Sequence, residues 1–360
     1  MNTERFFPPS KYIKDELENR GWTQADLAFI LGRNLKDTND IITGKRKFSV
    51  EIAQELAAAF KTTPQYWLEI ENKYRLAQID YVDDAILRRS EIYNTYPAKE
   101  MIKRGWIDAG GDIDDLESRF SEFYSEAKNF SFAARMTTSY PDMSEIQMAW
   151  VIRAYKLAKV IPVEKFDASN LERLEKELRR YASKSLAVQG VPKALSNAGI
   201  RFVVVEKLTN AKIDGAAFWL DASSPVIAMS IRFDNIGSFW FTLLHELSHI
   251  KHKDGFHLDD LESAPVDAIE ERANKEAAEI LVPQNKLKAF IKTYSPFYSE
   301  ARINNLATQL KIHPGIIVGQ LQHRKEIGYN AHHKLMVKVR DLVTATTFTD
   351  GWGNPIPQVR

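Results

Sequence analysis

Apolar residues in positions 1–80 recur every three to four residues, in short runs that glycines and capping residues separate. This spacing is typical of a bundle of short amphipathic helices. The expected helices lie over 11–19, after a capping box formed by Thr23 and Asp26, after Asn34, over 50–60, and from Pro64 to about residue 76.

The rest of the chain mixes longer helical patterns with a short β region. Residues 81–140 are charged and are interrupted by Pro97 and Gly110–Gly111, which predicts a helical connector. β-Branched residues from 200 to 208 predict a strand, and Asp214–Gly215 predicts a turn. The other expected elements are strands at 216–221 and 225–231, helices at 142–160, 168–186, 236–251 and 266–282, and a helical tail over 296–345 with a loop at His313–Gly315.

These elements predict a mainly α (α+β) protein with a small β-sheet. The chain is long enough for two or three domains. The expected segments are an N-terminal helical domain (1–80), a helical connector (81–140), a domain with the sheet (141–295) and a C-terminal helical unit (296–360).

Composition narrows the possible functions. The formal net charge is +1, so any binding to nucleic acid needs a local basic patch rather than overall charge. The absence of cysteine excludes disulfides, Fe–S clusters, thiol nucleophiles and cysteine-bound zinc. The N-terminus has charges and prolines where a signal peptide needs an apolar core, and no apolar run is long enough to span a membrane. We therefore expect a cytoplasmic protein without a membrane partner.

A zinc-binding motif, HELSH, lies in the helix expected at 236–251. His245 and His249 are four residues apart, so both imidazoles lie on one helix face and can bind one Zn²⁺. Glu246 stands beside the metal position and can act as the general base that takes a proton from water. Apolar residues cover most of this helix, and both histidines lie in its single polar stripe. The alternative is a pair of core histidines that bond to the backbone.

The surrounding sequence resembles the ImmA/IrrE-type metallopeptidase domain. The resemblance covers about 150–295 and rests on IDGAAFWL, PVIAMSIR, FWFTLLHELSH and ERANKEAAEILVP, which occur in that order. It implies a helical core with a small sheet and a metal held by the two motif histidines and a downstream glutamate. The best-known members of this family cut a DNA-bound repressor. The sequence departs from the family pattern at Glu276, where an aromatic residue usually stands.

The helix expected at 266–282 offers several glutamates for the third ligand position. Glu270 shares an apolar, inward-facing arc with alanines, whereas Glu271, Glu276 and Glu279 fall on the expected solvent face. A carboxylate on an inward arc is costly unless it is paired or metal-bound, so we predict Glu270 as the third ligand. Asn274 lies one turn further on and can orient a ligand. Alternatively, Glu270 pairs with a basic residue and His252 or His257 completes the site.

Residues 11–76 resemble the Cro/C1-type helix-turn-helix, in the variant found in HigA-type antitoxins. The resemblance rests on TQADLA at 23–28, on NDII-x-GKR at 39–46, and on the apolar positions that follow. It implies that the helix at 35–43 enters the major groove of DNA. The candidate DNA-contacting residues are Gln24, Lys36, Thr38, Asn39, Lys45, Arg46 and Lys47.

Charge leaves a second interpretation of this region open. Residues 33–47 carry five basic and two acidic residues, which favours phosphate contact. However, Asp37 and Asp40 lie on the expected recognition helix and would repel phosphate. Residues 1–76 as a whole carry only one excess positive charge. The alternative is therefore a helical interaction module that has lost DNA binding.

Together these features predict a DNA-binding transcriptional regulator with a zinc-dependent endopeptidase domain that cleaves a regulatory protein. Its expected partners are double-stranded operator DNA and a protein substrate, and we expect a homodimer because helix-turn-helix modules usually bind two-fold sites. The alternative is a HigA-like antitoxin or autorepressor whose C-terminal domain senses a signal or binds a toxin without proteolysis.

Overall fold

The computed structural model describes residues 7–78, 84–126, 143–255, 257–259 and 268–351. The chain divides into two compact units, residues 1–88 and 89–360. No helix among the described residues is both long and apolar enough to cross a bilayer. The mainly α (α+β) class predicted from the sequence is confirmed.

The first unit is a bundle of helices, several of which begin at polar caps. Thr23 accepts a hydrogen bond from the Asp26 backbone N–H, and the Asp26 side chain accepts one from the Thr23 N–H, which completes the predicted capping box. Asn34 caps the next helix. The helices are α1 (Pro9–Arg20), α2 (Gln24–Ile30), α3 (Leu35–Ile42), α4 (Val50–Phe60) and α5 (Pro64–Gln78). All five expected helices are therefore confirmed.

Apolar side chains from every helix of the bundle meet in one core. Ile13, Leu27, Ile41, Leu56 and Trp67 are fully buried there. Because these positions recur at helical spacing, the amphipathic pattern of the sequence was sufficient to locate this core.

The second unit combines helices with a five-stranded sheet. Its elements are α6 (Asp84–Thr95, which begins before the unit boundary), α7 (Ala98–Lys103), α8 (Ile113–Ser125), α9 (Glu145–Lys159), α10 (Leu171–Tyr181), α11 (Val191–Asn197), β1 (Arg201–Val205), β2 (Gly215–Trp219), β3 (Pro225–Met229), α12 (Ile236–His252), β4 (His257–Asp259), α13 (Ala268–Leu281), α14 (Gln284–Tyr294), α15 (Glu300–Leu310), α16 (Pro314–His323), α17 (Arg340–Thr344) and β5 (Phe348–Asp350).

The strands of the sheet are ordered β4-β2-β3-β1-β5. β1 runs parallel to β3 and β5, whereas β2 runs antiparallel to β3 and β4. β1, β2 and β3 confirm the three expected strands. β4 and β5 were not predicted, because three residues are too few to show a periodic pattern.

The helices within 296–351 share one apolar core with the sheet and α12. Ile303, Ile316 and Val343 belong to the same apolar cluster as Leu243 and Val204. β5, near the end of the described residues, also pairs with β1. The sequence missed this arrangement because it depends on pairing between residues far apart in the chain.

Arg179 of α10 links two helix ends within this core. Its Nε donates to the carbonyl of Ile280 at 2.8 Å, at the end of α13, and its Nη2 donates to the carbonyl of Leu310 at 2.7 Å, at the end of α15. Carbonyls at a helix C-terminus lack intrahelical partners and carry partial negative charge, so a guanidinium there is doubly favourable. Burial lowers the pKa of Arg179.

We expect Arg179→Ala to lower the free energy of unfolding by about 1.5–3 kcal/mol, because hydrogen bonds from a charged donor contribute about that much. Chemical denaturation of the full chain measures the change. Arg173→Ala is the control, since Arg173 is exposed on the same helix. Equal stability of the two variants would contradict the capping role.

Candidate metal centre and helix-turn-helix surface

The helix that carries the HELSH motif is buried over most of its length. It begins at Asn235, whose side chain accepts a hydrogen bond from the Ser238 backbone N–H. His245, Glu246 and His249 are all 0% exposed. Three ionisable side chains in the interior are costly unless they find partners, so their contacts indicate what the site is built to do.

The three predicted ligand side chains converge on one point. The Nε2 atoms of His245 and His249 lie 3.0 Å apart. Glu270, on α13, places Oε2 3.2 Å from His245 Nε2 and Oε1 3.6 Å from His249 Nε2. Within the described part of the chain, this is the one group of three His, Cys, Asp or Glu residues that could hold a metal ion. Two imidazole nitrogens and a carboxylate oxygen fit the donor set of a zinc site.

The other ring nitrogen of each histidine has its own partner. His245 Nδ1 lies 3.1 Å from Asn274 Oδ1, and His249 Nδ1 lies 3.0 Å from Asp254 Oδ2. These contacts leave both Nε2 atoms facing Glu270. The sequence pointed to Asn274 as an orienting residue but missed Asp254, which follows the end of α12 where no periodic pattern continues.

Glu246 lies against the β-sheet at a point where only glycine fits. A Cβ at Gly215 of β2 would stand 2.1 Å from Glu246 Oε1 and 2.9 Å from Thr242 Cγ2. Gly215 was expected in a turn. It is instead the first residue of a strand, and the absence of a side chain there lets the Glu246 carboxylate approach the sheet.

The expectation that Glu276 lies on the solvent face is wrong. Its carboxylate accepts a hydrogen bond from Ser248 Oγ at 2.9 Å and contacts His252 Nε2 at 2.8 Å. Burial alone would raise the pKa of Glu276, but the contacts with His252 and Ser248 outweigh burial and lower it. α13 packs against α12 over a wider arc than one helical stripe, which brings Glu276 into the interface. His252 therefore contacts Glu276, outside the three-residue group, and the side chain of His257 lies outside the described residues.

Arg232 forms a buried ion pair with Asp214. Its Nε and Nη2 donate to the two carboxylate oxygens of Asp214 at 2.7 and 2.9 Å. Asp234 accepts hydrogen bonds from the backbone N–H groups of Val339 and Arg340. The Asp214–Arg232 pair holds the chain immediately before Gly215.

In the first unit, most of the candidate DNA-contacting residues are on the surface. Gln24, Lys36, Lys45, Arg46 and Lys47 are exposed, and Asn39 is half-buried.

Thr38 does not fit the expected DNA-contacting role. It is 0% exposed, and its hydroxyl donates to the Asn34 carbonyl at 3.0 Å. Its place on the inner face of α3 follows from helical spacing with the buried Ile41 and Ile42.

Contacts within the unit also reduce the local charge. Arg33 is held by Glu55 through two hydrogen bonds of 2.6 and 2.9 Å, so this guanidinium is compensated inside the unit. Asp37 accepts a hydrogen bond from the Asn34 side chain at the start of α3. Within residues 33–47, the other basic residues, Lys36 and Lys45–Lys47, are exposed.

One family model matches part of the second unit. The family model described as the IrrE N-terminal-like domain (Peptidase_M78) matches residues 197–336, a range that contains all three members of the metal-binding group. No helix-turn-helix family model was detected for the N-terminal region. No curated protein and no solved structure matches the chain significantly.

We expect the full chain to bind one zinc ion, and His245→Ala, His249→Ala or Glu270→Ala each to weaken that binding strongly by removing a donor. Elemental analysis and competition with a chromophoric chelator measure stoichiometry and affinity. Glu271→Ala is the matched control, because Glu271 is exposed on the same helix and pairs with Lys275. Loss of zinc from this control, or retention in Glu270→Ala, would contradict the ligand set.

Proposed function

We propose that the second unit is a zinc-dependent endopeptidase that cleaves a regulatory protein, and that the first unit binds duplex DNA. The observation that carries the peptidase proposal is the convergence of the buried His245 and His249 with Glu270, next to Glu246. The match of residues 197–336 to the Peptidase_M78 model supports the same class of activity.

The donor set favours a catalytic rather than a structural metal. Structural zinc sites are closed by four protein ligands, whereas catalytic sites have three and keep one position open. The group here has three members among the described residues, and none is cysteine. When bound, zinc would act as a Lewis acid toward a peptide carbonyl and would lower the pKa of water at the open position.

Glu246 is the residue proposed to move the proton. It follows His245 directly in α12, so its side chain projects beside the metal-binding face rather than onto it. We assign it as the general base that accepts a proton from the attacking water and then delivers it to the leaving amine. Gly215 sets its position, because a side chain at that point of β2 would displace the carboxylate.

We expect Glu246→Gln to bind zinc as the wild type does and to lose about 10²–10⁴-fold in kcat/KM, because glutamine keeps the size of the side chain but cannot take a proton. A proteome-derived peptide library analysed by mass spectrometry serves as substrate, and zinc content is measured in parallel. Cleavage by Glu246→Gln at the wild-type rate would contradict the assigned base.

Gly215→Ala should also keep its zinc and lose cleavage, since the atoms nearest to the added methyl group belong to Glu246 and Thr242. Gly328→Ala is the control, because a Cβ at Gly328 meets no atom within 4 Å. A zinc-loaded wild-type chain that cleaves no peptide in the library would favour the antitoxin or autorepressor function without proteolysis.

The DNA-binding part of the proposal rests on a basic surface at the end of α3. Lys45, Arg46 and Lys47 begin three residues after the end of that helix and are exposed, so they are available to phosphates. Lys36 and Asn39 lie on α3 itself and are the candidates for contact with bases. The sequence resemblance of residues 11–76 to the Cro/C1-type helix-turn-helix supports this assignment.

We expect the full chain to bind DNA from its own upstream region, with an affinity that falls as salt rises. Lys45→Ala should reduce the slope of log K against log salt by about 0.9, the value for one lost phosphate contact. Fluorescence anisotropy at several salt concentrations gives the slope, and Lys14→Ala, which removes an exposed lysine of α1, is the control. Absence of binding at low salt would favour the interaction module that has lost DNA binding.

A further inference from the structure

The two motif histidines are held by partners of different chemistry. Asp254 Oδ2 lies 3.0 Å from His249 Nδ1, and Asn274 Oδ1 lies 3.1 Å from His245 Nδ1. A carboxylate that is ion-paired can only accept hydrogen bonds, so the partner nitrogen must carry the proton. An amide can turn and present either an acceptor or a donor, so Asn274 does not impose a protonation state in the same way.

Asp254 is itself held by a residue of the helix that carries Glu270. Its carboxylate pairs with the Arg272 guanidinium, and only 7% of the Asp254 side chain is exposed. Arg272 stands two positions after Glu270 on α13. The ion pair thus connects the residue that orients His249, on α12, to the helix that carries Glu270, α13.

We propose that the Asp254–Arg272 ion pair positions two ligands of the metal centre. It holds His249 with its proton on Nδ1, and it fixes α13 so that the Glu270 carboxylate lies next to the Nε2 atoms of His245 and His249. This inference rests on the proposed zinc site. Neither residue belongs to the ligand group, so both act through the ligands.

The position of Arg272 makes this role separable from general stability. The side chain of Arg272 is 35% exposed, whereas Ala273, Ala277 and Leu281 of the same helix are 0% exposed and form its packing face. Removal of the guanidinium therefore leaves the apolar contacts of α13 in place. Lys275 offers a matched comparison, because it also forms an ion pair on this helix, with the exposed Glu271.

The proposal predicts a change in the protonation pattern of His249 even without metal. In water a neutral imidazole side chain favours the proton on Nε2, the atom that must be free to bind zinc. Without Asp254, the Nε2–H form of His249 should become populated, and zinc binding would then require the proton to move. Loss of an outer partner of this kind typically costs about 10- to 100-fold in metal affinity.

The test uses the full chain labelled with ¹⁵N-histidine, without metal and at alkaline pH where imidazole is neutral. Long-range ¹H–¹⁵N correlation spectra distinguish Nδ1–H from Nε2–H, and His249→Gln identifies the signal. We expect Nδ1–H for His249 in the wild type, a mixture with Nε2–H in Asp254→Ala, and restoration toward Nδ1–H in Asp254→Asn, whose amide oxygen can accept. Zinc titration should show an affinity about 10- to 100-fold lower for Asp254→Ala and Arg272→Ala, but unchanged for Lys275→Ala.

The outcomes separate this inference from the proposed function. If the wild type binds zinc, but Asp254→Ala keeps the wild-type protonation pattern and affinity, the positioning role is overturned and the zinc site stands. Equal losses in Arg272→Ala and Lys275→Ala would overturn the role of Arg272, because they would reflect general destabilisation of α13. A wild type that binds no zinc would overturn both the proposed function and this inference.

Discussion

The candidate metal centre depends on the close packing of α13 against α12. Alanines at positions 273 and 277 are fully buried in the packing face of α13, and their small side chains let two helices approach closely. This approach brings the Glu270 carboxylate within 3.2 Å of His245 Nε2. Arg179 reinforces the arrangement, because it binds the carbonyl of Ile280 at the far end of α13. A shift of this helix by one turn would remove Glu270 from the centre, so the metal-binding group is a product of helix packing.

Burial of the centre has a cost in stability, because it removes three ionisable side chains from water. His245, Glu246 and His249 are fully buried, and isolated charges in such a place are strongly unfavourable. The Nδ1 atoms are compensated by hydrogen bonds, while both Nε2 atoms face the Glu270 carboxylate. A cation at the point where these donors meet would stabilise the folded chain, because the unfolded chain has no preformed site. The same groups that make the interior costly to build thus make it suited to a metal.

The folds of the two units depend on different kinds of interaction. In the first, side-chain caps at Thr23, Asn34 and Ser49 start α2, α3 and α4 locally, and residues at helical spacing form the core. In the second, strands from distant parts of the sequence pair with one another, and β5 joins β1 across more than a hundred residues. Local contacts also decide the charge pattern of residues 33–47, since Glu55 compensates Arg33 while Lys45–Lys47 stay exposed.

Sequence alone located the helices of the first unit, strands β1–β3 and the histidine pair, because these features depend on spacing within a few residues. It also placed Glu270 on an inward arc, since a carboxylate among alanines is conspicuous on a helical wheel. Tertiary structure alone decided that Asp254 supports His249, that Glu276 faces α12, and that β5 completes the sheet. It also showed that a glycine expected in a turn lies in β2, where it makes room for Glu246. Each of these depends on the distance between elements that are remote in sequence, and the periodicity of one element carries no information about that distance.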